Sequence, residues 1–306
     1  MQSLRGHIRS LHSLAPANKD QVSAVRVAVS VAVPSLALLA AGRPDLVIYA
    51  VFGALTGMYG RTEPHQLRLK HQGQAAFLLV GGLAVGILAL GACASIPTTV
   101  HWHTAVLIGA LSAVFSMMVG FGGWARGRVW DRGAEREIPP LRGGRGRAAG
   151  IHAARYLTAV GAAGAVGVLS GSGHPHWAMA AAAVPLAGAD MPSSVYRGLH
   201  RIVGTLAGLV VVAVVLFPWA FPPLRAFPGH EAAVLVLLVI VLQFTTELFM
   251  TRHYGLAMVS FTPVILLMTQ LAAPSDPRVL VTERAVETML GALTGILVVV
   301  LIRRRR

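Results

Sequence analysis

Ten stretches of apolar residues follow one another along this chain, most of them about 18 to 20 residues long and parted by short polar gaps. They are 23–41, 46–60, 75–94, 103–121, 153–171, 176–190, 202–220, 232–250, 254–273 and 284–302. The runs 46–60 and 176–190 are short and read as tilted or re-entrant segments as readily as full crossings. Crossing roughly 30 Å of hydrocarbon takes about 20 apolar residues. Lipid offers no partner to a free N–H or C=O, so each crossing segment must be helical. The pattern predicts an all-α integral membrane protein of about ten transmembrane helices. Composition agrees: 55% of residues are apolar, mean hydropathy is +0.66 and only 12% are charged, about half the charge of a soluble domain.

Charge then predicts sidedness. Twenty of the 26 basic residues fall in alternate gaps, among them Arg5, Arg9, Arg61, Arg68, Arg126 to Arg147, Arg197, Arg201, Arg252 and Arg303 to Arg306. Arg26 and Arg155 sit just inside runs that start on the same side, and only Arg43, Arg225, Arg278 and Arg284 fall elsewhere. The positive-inside rule places that side, and both termini, in the cytoplasm. The net charge of +14 is thus a topology signal. Nucleic-acid binding wants basic residues gathered on one folded face, and here they are dispersed.

The chain also repeats itself. Ala24-Val25-Arg26 opens the first run as Ala153-Ala154-Arg155 opens the fifth; Gly60 to Pro64 and Gly188 to Pro192 share a Gly-x-x-x-Pro step; Gly73 matches Gly204. Four runs precede the second copy, so the two copies start on the same side and are predicted to be unequal parallel repeats. The expected organisation is a basic amphipathic segment over 1–22, a four-helix first repeat over 23–121, a Gly/Arg/Pro-rich linker over 122–152, a six-helix second repeat over 153–302 and a basic tail over 303–306. The first run is followed by nine more, which reads as a span and not as a cleaved leader.

Ionisable groups in or beside spans are the pointers to function, because burying charge in lipid is costly. Glu247, late in the eighth run, reads either as a proton-carrying carboxylate or as an interfacial partner of Arg252 or His253. Arg201 opens the seventh run one turn before Thr205. Its fork suits a carboxylate, and Gly204 permits close approach of a substrate or a helix. Arg155 and Arg284 read either as anion contacts or, respectively, as an inner anchor and a partner of Glu287. Gly82/Gly86, Gly204/Gly208 and Gly291/Gly295 share a small-residue spacing suited to helix packing. Pro34, Pro185 and Pro263 interrupt apolar runs and read either as broken helices or as simple kinks. Trp102, Trp177 and Trp219 fit an aromatic belt. Cys93 is the one cysteine and reads as packing. His101, His103, His174 and His176 fall in two outer gaps without a metal-ligand pattern. No nucleotide-binding loop or hydrolase motif occurs, so no cofactor, metal or enzymatic activity is expected.

Several of these residues form a recognisable set: His176-Trp177-Ala178, Tyr196-Arg197-Gly198 running to Gly204-Thr205-Leu206-Ala207-Gly208, Arg252-His253-Tyr254-Gly255 running to Pro263, and Glu283-Arg284 with Glu287-Thr288-Met289-Leu290-Gly291. The set resembles the fusaric acid resistance (FUSC-like) family of integral membrane transporters, whose relatives include aromatic carboxylic acid exporters. The resemblance covers about 150–302, and 20–121 only weakly as a shorter copy lacking two spans. His253 stands where the family often has Asn, and Lys70-His71-Gln72-Gly73-Gln74 is a degraded counterpart of the Arg201 segment. The resemblance implies a plasma-membrane secondary transporter exporting small aromatic carboxylates, with proton coupling as the simplest drive. Arg201, Gly204, Thr205, Arg155 and Arg284 are then expected at the substrate and Glu247 at the proton. A passive anion channel and a non-transporting scaffold are the alternatives. Expected partners are the bilayer, a small organic anion and, because the first copy is short, a second copy of the chain.

Overall fold

A computed structural model describes residues 20–60, 63, 65–93, 101–121, 144–171, 173–188, 190–217 and 230–302. Most of the basic N-terminal segment, most of the linker, the C-terminal tail, Trp219, Arg225 and the side chains of Cys93 and Trp102 lie outside the described residues. The described chain is helical, with ten helices in the order of the ten apolar runs. They are α1 (Asp20–Ala40), α2 (the apolar helix Pro44–Met58, α-helical over Val47–Ala54), α3 (His65–Cys93), α4 (Trp102–Phe121), α5 (Gly144–Leu169), α6 (Pro175–Leu186), α7 (Met191–Leu216), α8 (Glu231–Phe249), α9 (Tyr254–Ala272) and α10 (Pro277–Leu301). Six of them, α1, α4, α7, α8, α9 and α10, are long and apolar enough to cross a membrane. Helices α2 and α6 are short, while α3 and α5 begin with basic turns.

Helices α7 and α10 start earlier than hydropathy suggests, because their first turns are polar and carry their own caps. In α7 the Asp190 carboxylate accepts from the Ser193 N–H at 3.0 Å, and the Ser193 hydroxyl accepts from the Asp190 N–H at 3.1 Å. This reciprocal cap satisfies donors that the helix leaves free. In α10 the Asp276 carboxylate accepts from the Arg278 N–H at 2.8 Å, with Pro277 opening the helix. Helix α5 begins at Gly144, inside the stretch read as linker. Pro34 and Pro263 lie within helices that continue past them, so these two prolines do not break spans, whereas α6 ends one residue after Pro185. Between α1 and α2, Arg43 forms a two-pronged pair with Asp45 (2.8 and 3.0 Å), and the guanidinium holds that carboxylate below its usual pKa.

Packing divides the helices into two groups joined by a hairpin. Helix α2 packs on α1, α3 and α4, and α4 also on α1 and α3; likewise α6 packs on α5, α7 and α10, and α10 also on α5 and α7. Helices α8 and α9 pair with each other, α9 lies on α7 and α2, and α8 lies on α1. One apolar core runs through this junction, joining Val31, Val47 and Val51 to Val212, Val236, Val239, Val264 and Leu267. A smaller one unites Ala159, Ala163, Ala178, Ala182, Leu186, Val298 and Val299 of α5, α6 and α10. Large apolar side chains also cover the outside: Phe77, Leu78, Leu157, Val203, Val241 and Leu297 are all more than half exposed. So much outward apolar surface suits lipid and not water.

Glycines set the closest helix contacts. A Cβ on Gly204 would lie 2.5 Å from the Gly255 carbonyl oxygen, and one on Gly208 2.8 Å from Thr262 Cβ, which locks α7 on α9. A Cβ on Gly291 would lie 2.1 Å from the Ala178 carbonyl oxygen, and one on Gly295 2.4 Å from that of Ala182. Because 178 meets 291 and 182 meets 295, α6 and α10 run in the same direction. The short turn after α6 reverses the chain, so α7 runs opposite to α10. Among the described residues, no atom lies within 4 Å of a Cβ built at Gly82, so they give it no packing contact.

Candidate functional site

The site is built from the interior faces of α6, α7, α9 and α10. Arg201 lies ten residues into α7, about 15 Å along its axis at 1.5 Å per residue, and is 5% exposed. Arg284 lies seven residues into the oppositely directed α10, about 10 Å from its start, and is 1% exposed. The two arginines therefore enter from opposite ends of the bundle, and their charges come within electrostatic reach of each other, together with Glu287 and Tyr254. The sequence placed Arg201 at one mouth of a span and Arg284 at the far end of another. The structure buries both, within electrostatic reach of each other.

Their partners are few. The Nη1 of Arg201 donates to the Met258 sulfur at 2.8 Å, a weak acceptor, and its Nε has no partner. The Arg284 guanidinium carbon lies 5.0 Å from the centre of the Trp177 ring, within cation–π range, while its Nε and Nη2 are unpartnered. Trp177 is 5% exposed, so it is a wall of this site and not part of an interfacial belt. The His174 ring stacks on it at 4.2 Å, and His174 Nδ1 lies 2.5 Å from Glu283 Oε2. Glu287 is fully buried; its Oε2 accepts from the Ala178 N–H at 2.9 Å, and its Oε1 is unpartnered. Thr205, Thr262 and Thr288 are buried on the same helices, each with a hydroxyl that has no partner.

The remaining sequence candidates lie apart. Gly204 is filled by the α9 backbone and serves packing. Arg155 is buried with an unpartnered Nε, but it stands twelve residues, about 18 Å, along α5 from Gly167, the residue that faces Glu287. Glu247 is fully buried at the junction of α8 and α1, where the Ser23 hydroxyl donates to it at 3.2 Å. Sequence reasoning missed Trp177, Tyr254, Met258 and Glu287. For Glu287 a signal existed, its one-turn spacing from Arg284, but it was read as simple pairing at a helix end.

Two guanidiniums and one carboxylate, all buried, leave a net positive charge. An uncompensated buried ion costs several kcal/mol. The arrangement is suited to an anion that brings the missing negative charge and accepts the free N–H and O–H groups. No group of His, Cys, Asp and Glu that could hold a metal occurs among the described residues.

Residues 161–298, from within α5 to near the end of α10, match the family model described as fusaric acid resistance protein-like. The matched segment is fusaric acid resistance protein-like and covers just under half of the chain. Comparison with curated proteins and with solved structures gave no match. The fusaric acid resistance-like unit contains every residue of the arginine site, and the bridging hairpin α8–α9 lies within it. Together with the outward apolar surface, the family makes this a multi-span membrane protein and points to membrane transport.

Proposed function

We propose that the protein is a secondary transporter of small organic anions, aromatic carboxylates among them, working in the plasma membrane. The observation that carries this reading is the pair Arg201 and Arg284, buried within electrostatic reach of each other, with Glu287 one turn from Arg284 and with guanidinium nitrogens left free. A carboxylate accepts two N–H groups of one guanidinium side by side, and Thr205 and Thr288 offer further donors. Arg201 faces a solute entering along α7, and Arg284 one entering along α10, so the anion passes from one to the other midway.

In this reading all ten helices contribute to the membrane domain, with both termini cytoplasmic. Two of the basic residues that fall on the other side have local reasons to be there: Arg43 is paired with Asp45, and Arg284 belongs to the site. The parallel repeat fits the packing, since α1, α2, α3 and α4 meet one another as α5, α6, α7 and α10 do. The two helices that the first copy lacks then correspond to α8 and α9, which come before the last helix and not after it. Glu247 is the candidate proton site: it is buried away from the arginines, on the seam between the two halves. A second copy of the chain completes the expected partners.

Flux measured in liposomes tests the reading. Carboxylate uptake should follow a pH gradient, and Glu247→Gln should abolish the gradient's effect while leaving the anion's binding intact. Flux that follows membrane potential alone and ignores Glu247→Gln would instead identify a passive channel.

A further inference from the structure

We propose that Glu287 sets the valence of the anion the arginine site accepts, restricting it to solutes with a single carboxylate. The inference rests on the anion-binding reading above and makes it more specific. Glu287 is held among groups that favour a negative charge. Its Oε2 accepts from the Ala178 N–H, a first-turn donor of α6 that the helix itself leaves free, and the positive end of α6 favours negative charge there. Its carboxylate is one turn from Arg284 and acts on it.

The other ionisable groups around Glu287 do not change the count. From α7 comes Arg201. From α9 comes Tyr254, whose phenol offers an O–H donor. Helix α5 presents Gly167, uncharged. At the start of α6, burial and the neighbouring His174 and Arg284 disfavour a charge on His176. Glu283, though next to Arg284 in sequence, turns away to His174 and is partly solvated. Two positive charges and one negative remain in the buried site. A monocarboxylate neutralises it. A dicarboxylate brings one negative charge too many into a place where water cannot screen it. Size plays no part in this argument; charge alone does.

The test compares three ligands of one shape family, benzoate, phthalate and the monomethyl ester of phthalate, binding to the full chain in nanodiscs at neutral pH. Wild type should bind benzoate and the ester at least about tenfold more tightly than phthalate. Glu287→Gln keeps an acceptor for the Ala178 N–H and removes the charge; it should shift the preference toward phthalate by about tenfold or more. Glu283→Gln should leave the preference as it is. If wild type rejects the ester as strongly as phthalate, size governs and the proposal is overturned. That comparison needs no variant to fold. If Glu287→Gln binds both anions with an unchanged ratio, the valence assignment falls while the anion site stands. If wild type binds none of the three, the anion site falls with it.

Discussion

Replacing Arg201 with glutamine should weaken carboxylate binding by about 2–4 kcal/mol, roughly 30- to 1,000-fold, the range found when a charged partner is removed from a buried pair. The same substitution should leave the anion-free protein as stable as wild type or more so. That opposite response is the distinguishing sign. A structural arginine stabilises the fold it is removed from. Arg201 is a buried cation whose one hydrogen-bond acceptor given by the structure is a thioether sulfur, so its removal relieves charge burial. Arg284→Gln should differ. It forfeits the contact with Trp177 and leaves Glu287 without its neighbouring cation, so binding and stability should fall together. Calorimetric titration with benzoate and thermal unfolding in detergent, on both variants, separate the two cases. Equal destabilisation by the two substitutions with unchanged affinity would remove the arginines from the site.

Gly291→Ala should be among the most damaging single changes in the protein. The added methyl would sit 2.1 Å from the Ala178 carbonyl oxygen, so backbone must move, and overpacking of this kind costs about 1–3 kcal/mol or more. The displaced segment is also the one whose N–H holds Glu287. A fall in unfolding midpoint is therefore expected with a loss of anion affinity. Gly82→Ala, where nothing among the described residues lies within 4 Å, is the control and should leave the midpoint unchanged.

Hydropathy made the ten helices legible, because each must pair its own backbone groups in lipid and so records itself locally in the sequence. Their starting points were less legible. Asp190 with Ser193 and Asp276 with Arg278 extend α7 and α10 into polar sequence, which an apolar window cannot register. Arg201 and Arg284 were identifiable as costly charges next to spans, but their meeting was not. It depends on α7 and α10 running in opposite directions and on the depth that Gly204, Gly208, Gly291 and Gly295 allow those helices to reach. Trp177 was misplaced for the same reason: an aromatic near a span end looks interfacial until α10 covers it. The role of Glu287 is tertiary as well, since its hydrogen bond crosses 109 residues of chain to Ala178.

The soft contact between Arg201 and the Met258 thioether has a practical corollary for handling the protein. A thioether yields its place to a monocarboxylate at little expense, so solutes such as acetate or formate in a purification buffer are competitors, not bystanders. Saturating an effective one at a hundred times its dissociation constant raises folding free energy by about 2.7 kcal/mol. The most durable preparation is then the one already occupied, and the apparent affinity of any test compound will depend on how thoroughly that first guest was washed away.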